Sequence, residues 1–114
     1  MLIEELVISH LSSRLSVPVY AEVPADAGMR QSFVVVEKTG SGETNHIRDA
    51  TLAVQSYGVT LRNAAALSHE VCEAMEALPE RDEVSRCRLE SEYNWTDADT
   101  KRYRYQAVFH LTHF

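Results

Sequence analysis

The sequence predicts an α+β fold: an antiparallel, at most mixed, β-sheet of four to five strands with two helices packed on one face. In two segments apolar residues recur every three or four positions, as in amphipathic helices. In several others they alternate with polar residues, as in half-buried strands. The last two alternating segments are joined by a short polar stretch, which only antiparallel strands allow. The predicted order of elements is α-β-β-β-α-β-β.

The first helix is predicted over residues 2–16, and a proline at position 18 ends it because the residue before proline avoids the helical conformation. A short strand at 19–23 and a polar connection at 24–31 follow. The apolar stripe of the helix consists of Ile3, Leu6, Val7, Leu11 and Leu15.

The next strand, 32–39, is apolar on both faces, since Val34 and Val36 point one way and Phe33 and Val35 the other. This pattern predicts a central strand or a second buried face. The stretch GSGETN that follows is predicted to be a flexible loop, and a strand at 46–58 completes a hairpin.

Thr60 is the predicted N-cap of a second helix that Pro79 closes. Its apolar side consists of Leu61, Ala64, Ala65, Ser68, Val71, Cys72, Met75 and Leu78. Strands at 84–95 and 101–113 then alternate regularly. One face is expected to carry Cys87, Leu89, Tyr93, Trp95, Tyr103, Tyr105, Ala107, Phe109 and Leu111, and the other Arg86, Arg88, Glu90, Glu92, Asn94, Arg102, Arg104, Gln106 and His110.

The composition restricts the class of protein. With 114 residues, 45% hydrophobic and 25% charged, the chain is expected to form one domain, 1–114, whose core needs no metal or disulfide. The net charge of -6 argues against sequence-specific nucleic-acid binding. No signal peptide or apolar run of about 20 residues is present, so we expect a soluble intracellular protein with Cys72 and Cys87 as free thiols.

Two clusters of potentially reactive side chains do not make a catalytic or metal site. Asp97, Asp99 and Thr100 are similar to an aspartyl-nucleophile motif, but they join two antiparallel strands, where such residues form turns. His69 and Cys72 belong to the stretch HEVCE, which lacks the second histidine of the zinc-protease helix. The sequence therefore predicts no enzyme, no metal and no cofactor.

The arginine-bearing face of the last two strands has two interpretations. Cross-strand pairing of its arginines with Glu90 and Glu92 would make an ordinary solvated face. Alternatively the mixed charges would fix the register of a subunit interface. The apolar second face of 33–36 favours assembly, because such a face is unfavourable in water.

The element order resembles that of phage tail proteins of the tail-terminator or tail-completion (head-to-tail joining) family. The stretches that carry the resemblance are MLIEELVISHLSSRLSVPVYAEVP, GSGETNHIRDATLAVQSYG, NAAALSHEVCEAMEAL and YNWTDADTKRYRYQAVFHLTHF. The resemblance implies a non-catalytic protein whose copies form a ring, commonly hexameric. Such a ring caps the tail tube and joins it to the head connector, so its partners are tail-tube and head-connector proteins. It would assemble in the bacterial cytoplasm and end in the virion tail, with DNA passing through its lumen.

The resemblance also implies which residues meet a neighbouring subunit or a partner: Gly40, Ser41, Gly42, Glu43, Thr44, Asn45, Arg86, Arg88, Asp97, Asp99, Arg102 and Arg104. The alternative function is a small dimeric ligand-binding or regulatory α+β module. Such a module would require a concave, partly apolar pocket with converging polar groups.

Overall fold

The computed structural model describes residues 2–25, 32–100 and 102–114. The predicted connection at 24–31 and the start of the last predicted strand, at 101, therefore lie largely outside the described residues. The elements are α1 (Ile3–Arg14), β1 (Val19–Tyr20), β2 (Phe33–Thr44), β3 (Ile47–Gly58), α2 (Leu61–Glu76), β4 (Val84–Asn94) and β5 (Tyr103–His113), with a short 3₁₀ helix, Leu78–Glu80, before β4. The predicted fold class and element order are confirmed.

The five strands form one mixed sheet in the order β1-β2-β3-β5-β4. β1 pairs with β2 in parallel, and the other neighbouring strands pair antiparallel. Both helices pack on the same face, and the main core lies between them and the sheet. Its largest members are Ile3, Leu6, Val7, Leu11, Val34, Val36, Leu52, Val54, Leu67, Val71, Met75, Leu78, Val84, Phe109 and Leu111.

The helix ends follow the residues that the sequence places there. The hydroxyl of Thr60 accepts a hydrogen bond from the backbone N–H of Asn63 at 3.1 Å, which confirms the predicted N-cap of α2. Gly58 lies so close to this first turn that a Cβ atom there would come within 2.4 Å of the backbone nitrogen of Ala64. The strand can therefore reach the helix only because position 58 has no side chain.

The predicted flexible loop after β2 is wrong. β2 and β3 stay paired as far as Thr44 and Ile47, so the glycine-rich stretch forms a two-stranded ribbon. Its turn consists of Asn45 and His46 alone, with φ angles of 51° and 66°. Two left-handed residues are typical of a type I′ hairpin turn, and asparagine and histidine tolerate that conformation better than most residues. The turn chemistry therefore overrides the low strand propensity of the glycines.

The predicted face assignment for the second half of β4 is also wrong. Leu89 pairs with Phe109 and Ser91 with Val108, so one extra residue, Glu90, bulges out of β4. Such a bulge exchanges the two faces for all residues beyond it. Glu92 therefore points toward α2, and Tyr93 and Trp95 point away from the helices.

Candidate interaction surface

The sheet face that points away from both helices, called the open face below, is the candidate interaction surface. The strand register assigns to it Glu37 on β2, Asp49, Thr51, Gln55 and Tyr57 on β3, Arg104, Gln106, Val108, His110 and Thr112 on β5, and Arg86, Arg88, Tyr93 and Trp95 on β4. Arg86 and Arg88 are exposed. The structure thus brings all four predicted contact arginines, Arg86, Arg88, Arg102 and Arg104, to one face and moves Glu92 to the other.

Arg104 is fixed between two aromatic side chains of this face. Its guanidinium carbon lies 3.9 Å from the ring centre of Trp95, and its Nε donates a hydrogen bond of 2.6 Å to the backbone carbonyl of the same residue. Its Nη1 donates to the hydroxyl of Tyr57 at 3.2 Å. Arg102 also lies over the Tyr57 ring, at 6.0 Å from its centre. The predicted separation of the arginines from Trp95 is therefore wrong: they form one stacked cluster.

The apolar part of the open face is covered within the chain. Phe33 stacks on Tyr57 with ring centres 4.4 Å apart, and Tyr20 meets the edge of this pair at 6.0 Å. Phe33 and Val35 are only 2% and 4% exposed. The prediction that strand 33–36 is apolar on both faces is confirmed. Its outer side is nevertheless buried, so it supplies no argument for assembly.

A chain of side-chain hydrogen bonds crosses the middle of the open face. The amide of Gln55 donates to the Gln106 oxygen at 2.8 Å, and the amide of Gln106 donates to the hydroxyl of Tyr93. Tyr93 and Trp95 remain 40% and 42% exposed. The face therefore presents large aromatic side chains whose orientation is already set by their neighbours.

The acidic tip between β4 and β5 is a structured turn. The Oδ1 atom of Asp97 accepts hydrogen bonds from the backbone N–H groups of Asp99 at 3.0 Å and Thr100 at 3.4 Å. Hydrogen bonds from the Thr100 side chain and from these two N–H groups, aided by the charge of Arg104, lower the pKa of Asp97. Asp99 is exposed. Of the two predicted contact aspartates, Asp97 thus stabilises the turn, and Asp99 is exposed on its surface.

The β2–β3 ribbon, which carries the predicted contact residues 40–45, lies at the other end of the sheet. Its residues 41–48 are exposed, and Arg48 donates to Glu43 across the ribbon at 3.2 Å. A groove of about 610 Å³ separates the ribbon from the start of α1. Its rim includes Leu2 and Phe114, which are 60% and 69% exposed.

The side chains of the HEVCE stretch on α2 do not converge. His69 contacts Glu73 at 2.7 Å on the outside of the helix, whereas the thiol of Cys72 points to Glu92 at 3.6 Å. Cys72 and Cys87 are free thiols, as predicted, and burial raises the pKa of each to about 12. Such thiols carry almost no thiolate at neutral pH and are poor nucleophiles. Among the described residues no three potential ligands are grouped around a metal position.

The sequence analysis overlooked His10, which is 1% exposed on the inner side of α1. Its Nε2 lies 2.7 Å from the carbonyl oxygen of Ala74, and its Nδ1 accepts a hydrogen bond from Arg81 at 2.8 Å. These partners assign the proton of the neutral ring to Nε2. The sequence does indicate that His10 is buried, since position 10 follows Leu6 by four residues and Val7 by three and so lies on the same apolar side of α1.

No protein-family model matches the chain, and no curated protein matches it. None of the helices in the described ranges is long and apolar enough to cross a bilayer. The open face of the sheet is therefore the basis for inferring function.

Proposed function

We propose that this protein is a non-catalytic structural subunit of a phage tail, whose copies form a ring. The ring ends the tail tube, joins it to the head connector, or does both. The open face carries the proposal, because it combines exposed arginines with half-exposed Tyr93 and Trp95 on a rigid sheet. Arginine, tyrosine and tryptophan are the residues enriched in the energetically dominant parts of protein interfaces.

The arrangement of the two hairpins supports the same proposal. The turn at Asn45 and His46 lies at the end of the sheet where β5 finishes, and the turn that follows Asp97 lies at the end where β5 begins. The longest extent of the molecule is 44 Å. A subunit of this shape can contact the tail tube at one end and a connector protein at the other, with its two faces left for neighbouring subunits.

The experiment is to measure the mass of the purified protein by sedimentation velocity, alone and with a phage tail-tube protein. We expect closed oligomers that appear as rings by negative-stain electron microscopy, either free or on the ends of tubes. A strict monomer at high concentration under both conditions would contradict the proposal.

A ligand-binding module is the second candidate, and the groove between α1 and the ribbon favours it. Its volume of about 610 Å³ lies within the range of roughly 300–1,000 Å³ found for small-molecule pockets. The lining combines Leu2, Ile3 and Phe114 with charged residues of both signs: Lys38, Arg48, Glu43, Asp49 and Glu83. A small, partly apolar compound with polar groups that raises the melting temperature of a strictly monomeric or dimeric protein would select this function over the ring.

A further inference from the structure

We infer that the open face of one copy binds the outer face of α2 of a second copy. This inference rests on the ring proposed above and assigns its subunit contact. The outer face of α2 is defined by Glu70, Glu73 and Glu76, all exposed. Since α2 packs on the opposite side of the sheet from the open face, every copy has one surface of each kind.

The bulge of β4 makes the open face more basic than its sequence predicts. Arg86 and Arg88 are exposed on β4, the strand at one edge of the sheet, and Glu90 offsets them with a contact of 3.6 Å to Arg88. Glu92 would reduce the positive charge further if alternation continued, but it points to α2 instead. In its place the face gains Tyr93 and Trp95, which supply apolar contact area.

The outer face of α2 is negatively charged, and two of its glutamates lie at the end of the helix where negative charge is unfavourable. The sequence of the last turn contains Glu73 and Glu76 and no lysine or arginine. The C-terminal end of a helix has a partial negative charge, so acidic side chains there are destabilising. Among the described residues, Glu73 makes its ionic contact with His69 at 2.7 Å, and His69 is charged only when protonated. Arginines from another molecule would offset this repulsion.

The positions of the two faces determine the symmetry of the contact. A pairing of two open faces would place arginines against arginines, whereas open face against α2 pairs opposite charges. Because the two faces are on opposite sides of the molecule, each copy binds one neighbour in front and one behind, and such a heterologous contact closes into a ring when its rotation allows. With extents of 44 × 25 × 24 Å, either face can supply the roughly 800 Å² per partner of a standard interface.

Two charge-reversed proteins test this contact. The first carries Arg86→Glu and Arg88→Glu, and the second carries Glu70→Arg, Glu73→Arg and Glu76→Arg. Each protein alone then has like charges on its two contacting faces, and we expect its apparent dissociation constant to rise at least about 100-fold. Mixed in equal amounts, the two proteins regain opposite charges at every contact, so we expect the wild-type oligomer to return in sedimentation velocity. The control, with Asp82→Arg and Glu83→Arg, changes exposed acids outside both faces and should assemble normally.

The outcomes are distinguishable. Recovery of the oligomer on mixing supports the inference. Normal assembly of either variant alone, or failure of the mixture although both variants keep the wild-type circular dichroism spectrum, overturns the inference and leaves the ring proposal standing. A wild-type protein that stays monomeric with and without tail-tube protein overturns both. A fluorescent single-stranded oligonucleotide provides a further test. If the wild-type protein binds it and the protein with Arg86→Glu and Arg88→Glu does not, the inference is overturned, because the open face then binds nucleic acid.

Discussion

The carboxylate of Glu92 accepts a hydrogen bond of 2.6 Å from the hydroxyl of Ser68, which is fully buried on the inner side of α2. The thiol of Cys72 lies 3.6 Å from the same oxygen. An acidic side chain that alternation assigns to the arginine face thus connects β4 to the helix on the other side of the sheet. The contact exists because the bulge at Glu90 rotates the rest of the strand.

Replacement of Glu92 by alanine should destabilise the fold by about 1–3 kcal/mol, since the buried hydroxyl of Ser68 loses its acceptor. Urea denaturation measures the change in the free energy of unfolding. Glu90→Ala is the matched control, because Glu90 is exposed and should change stability by no more than about 0.5 kcal/mol. Equal effects of the two substitutions would show that the contact with Ser68 contributes nothing.

Asp97→Ala should loosen the turn between β4 and β5, whereas Asp99→Ala should not. The reason is that the Asp97 carboxylate accepts the backbone N–H groups of Asp99 and Thr100, and alanine cannot. Amide hydrogen exchange followed by NMR reports on the Thr100 N–H directly, and we expect it to exchange faster only in the Asp97 variant. Asp97→Asn should retain slow exchange, because an asparagine oxygen can form the same turn. Equal exchange in all three variants would be inconsistent with this role.

Gly58→Ala should cost about 1–3 kcal/mol, because its Cβ would overlap the first turn of α2 and force the strand and helix apart. Gly42→Ala is the control. No described atom lies within 4 Å of a Cβ at position 42, and its backbone is not left-handed. Alanine there should leave the melting temperature unchanged or raise it slightly. A similar decrease for both variants would mean that the loss of a glycine, and not the close approach, is what matters.

The protein should lose stability as the pH falls below about 6.5, through His10. Burial lowers the pKa of His10 from its usual value of 6.5; Arg81 and Arg14 lower it further, and the hydrogen bond to Ala74 and the charge of Glu80 partly oppose them. The unfolded chain therefore binds a proton at a higher pH than the folded chain does. The stability that the neutral, buried His10 contributes is fully present above about pH 6.5 and decreases as the pH falls toward the lowered pKa of His10.

The measurement for His10 is the free energy of unfolding at several pH values between 8 and 5. His10→Gln should flatten the decrease at acidic pH, even if it lowers stability throughout. His69→Gln changes an exposed histidine and should keep the wild-type decrease. The same slope in wild type and His10→Gln would exclude His10 as the source.

Where one physical signal dominates, the sequence predicts the structure well. Apolar residues recur at helical spacing through α1 and α2, which predicts both helices, and the hydroxyl of Thr60 marks the start of α2. The predicted inner side of α2 nevertheless included Leu61, which is 40% exposed, and omitted Leu67 and Ala74, which are buried. The uninterrupted apolar run at 33–36 predicts two buried faces, and both exist as separate clusters. These features depend on contacts between residues that are near in sequence or on burial alone.

The features of the candidate surface that the sequence does not predict depend on the register between strands, which is not encoded by residues near each other in the sequence. Alternation in β4 continues through Glu90 without interruption, so the bulge becomes visible only in the pairing with β5. The stacking of Arg104 on Trp95 could not be predicted once these residues were assigned to opposite faces. The prediction of a loop at 40–45 was wrong for a different reason. Glycines at 40 and 42 suggest a loop, but the two-residue turn after them keeps β2 paired with β3.

The bulge has a consequence for how related sequences would diverge. Deleting the single residue Glu90 would restore continuous alternation and send Glu92 to the arginine side and Trp95 toward the helices. Two chains with almost identical composition could therefore display opposite surfaces to their neighbours. In this part of the molecule, the number of residues between Leu89 and Ser91 decides which side chains the open face carries, so a single insertion or deletion there changes the whole surface at once.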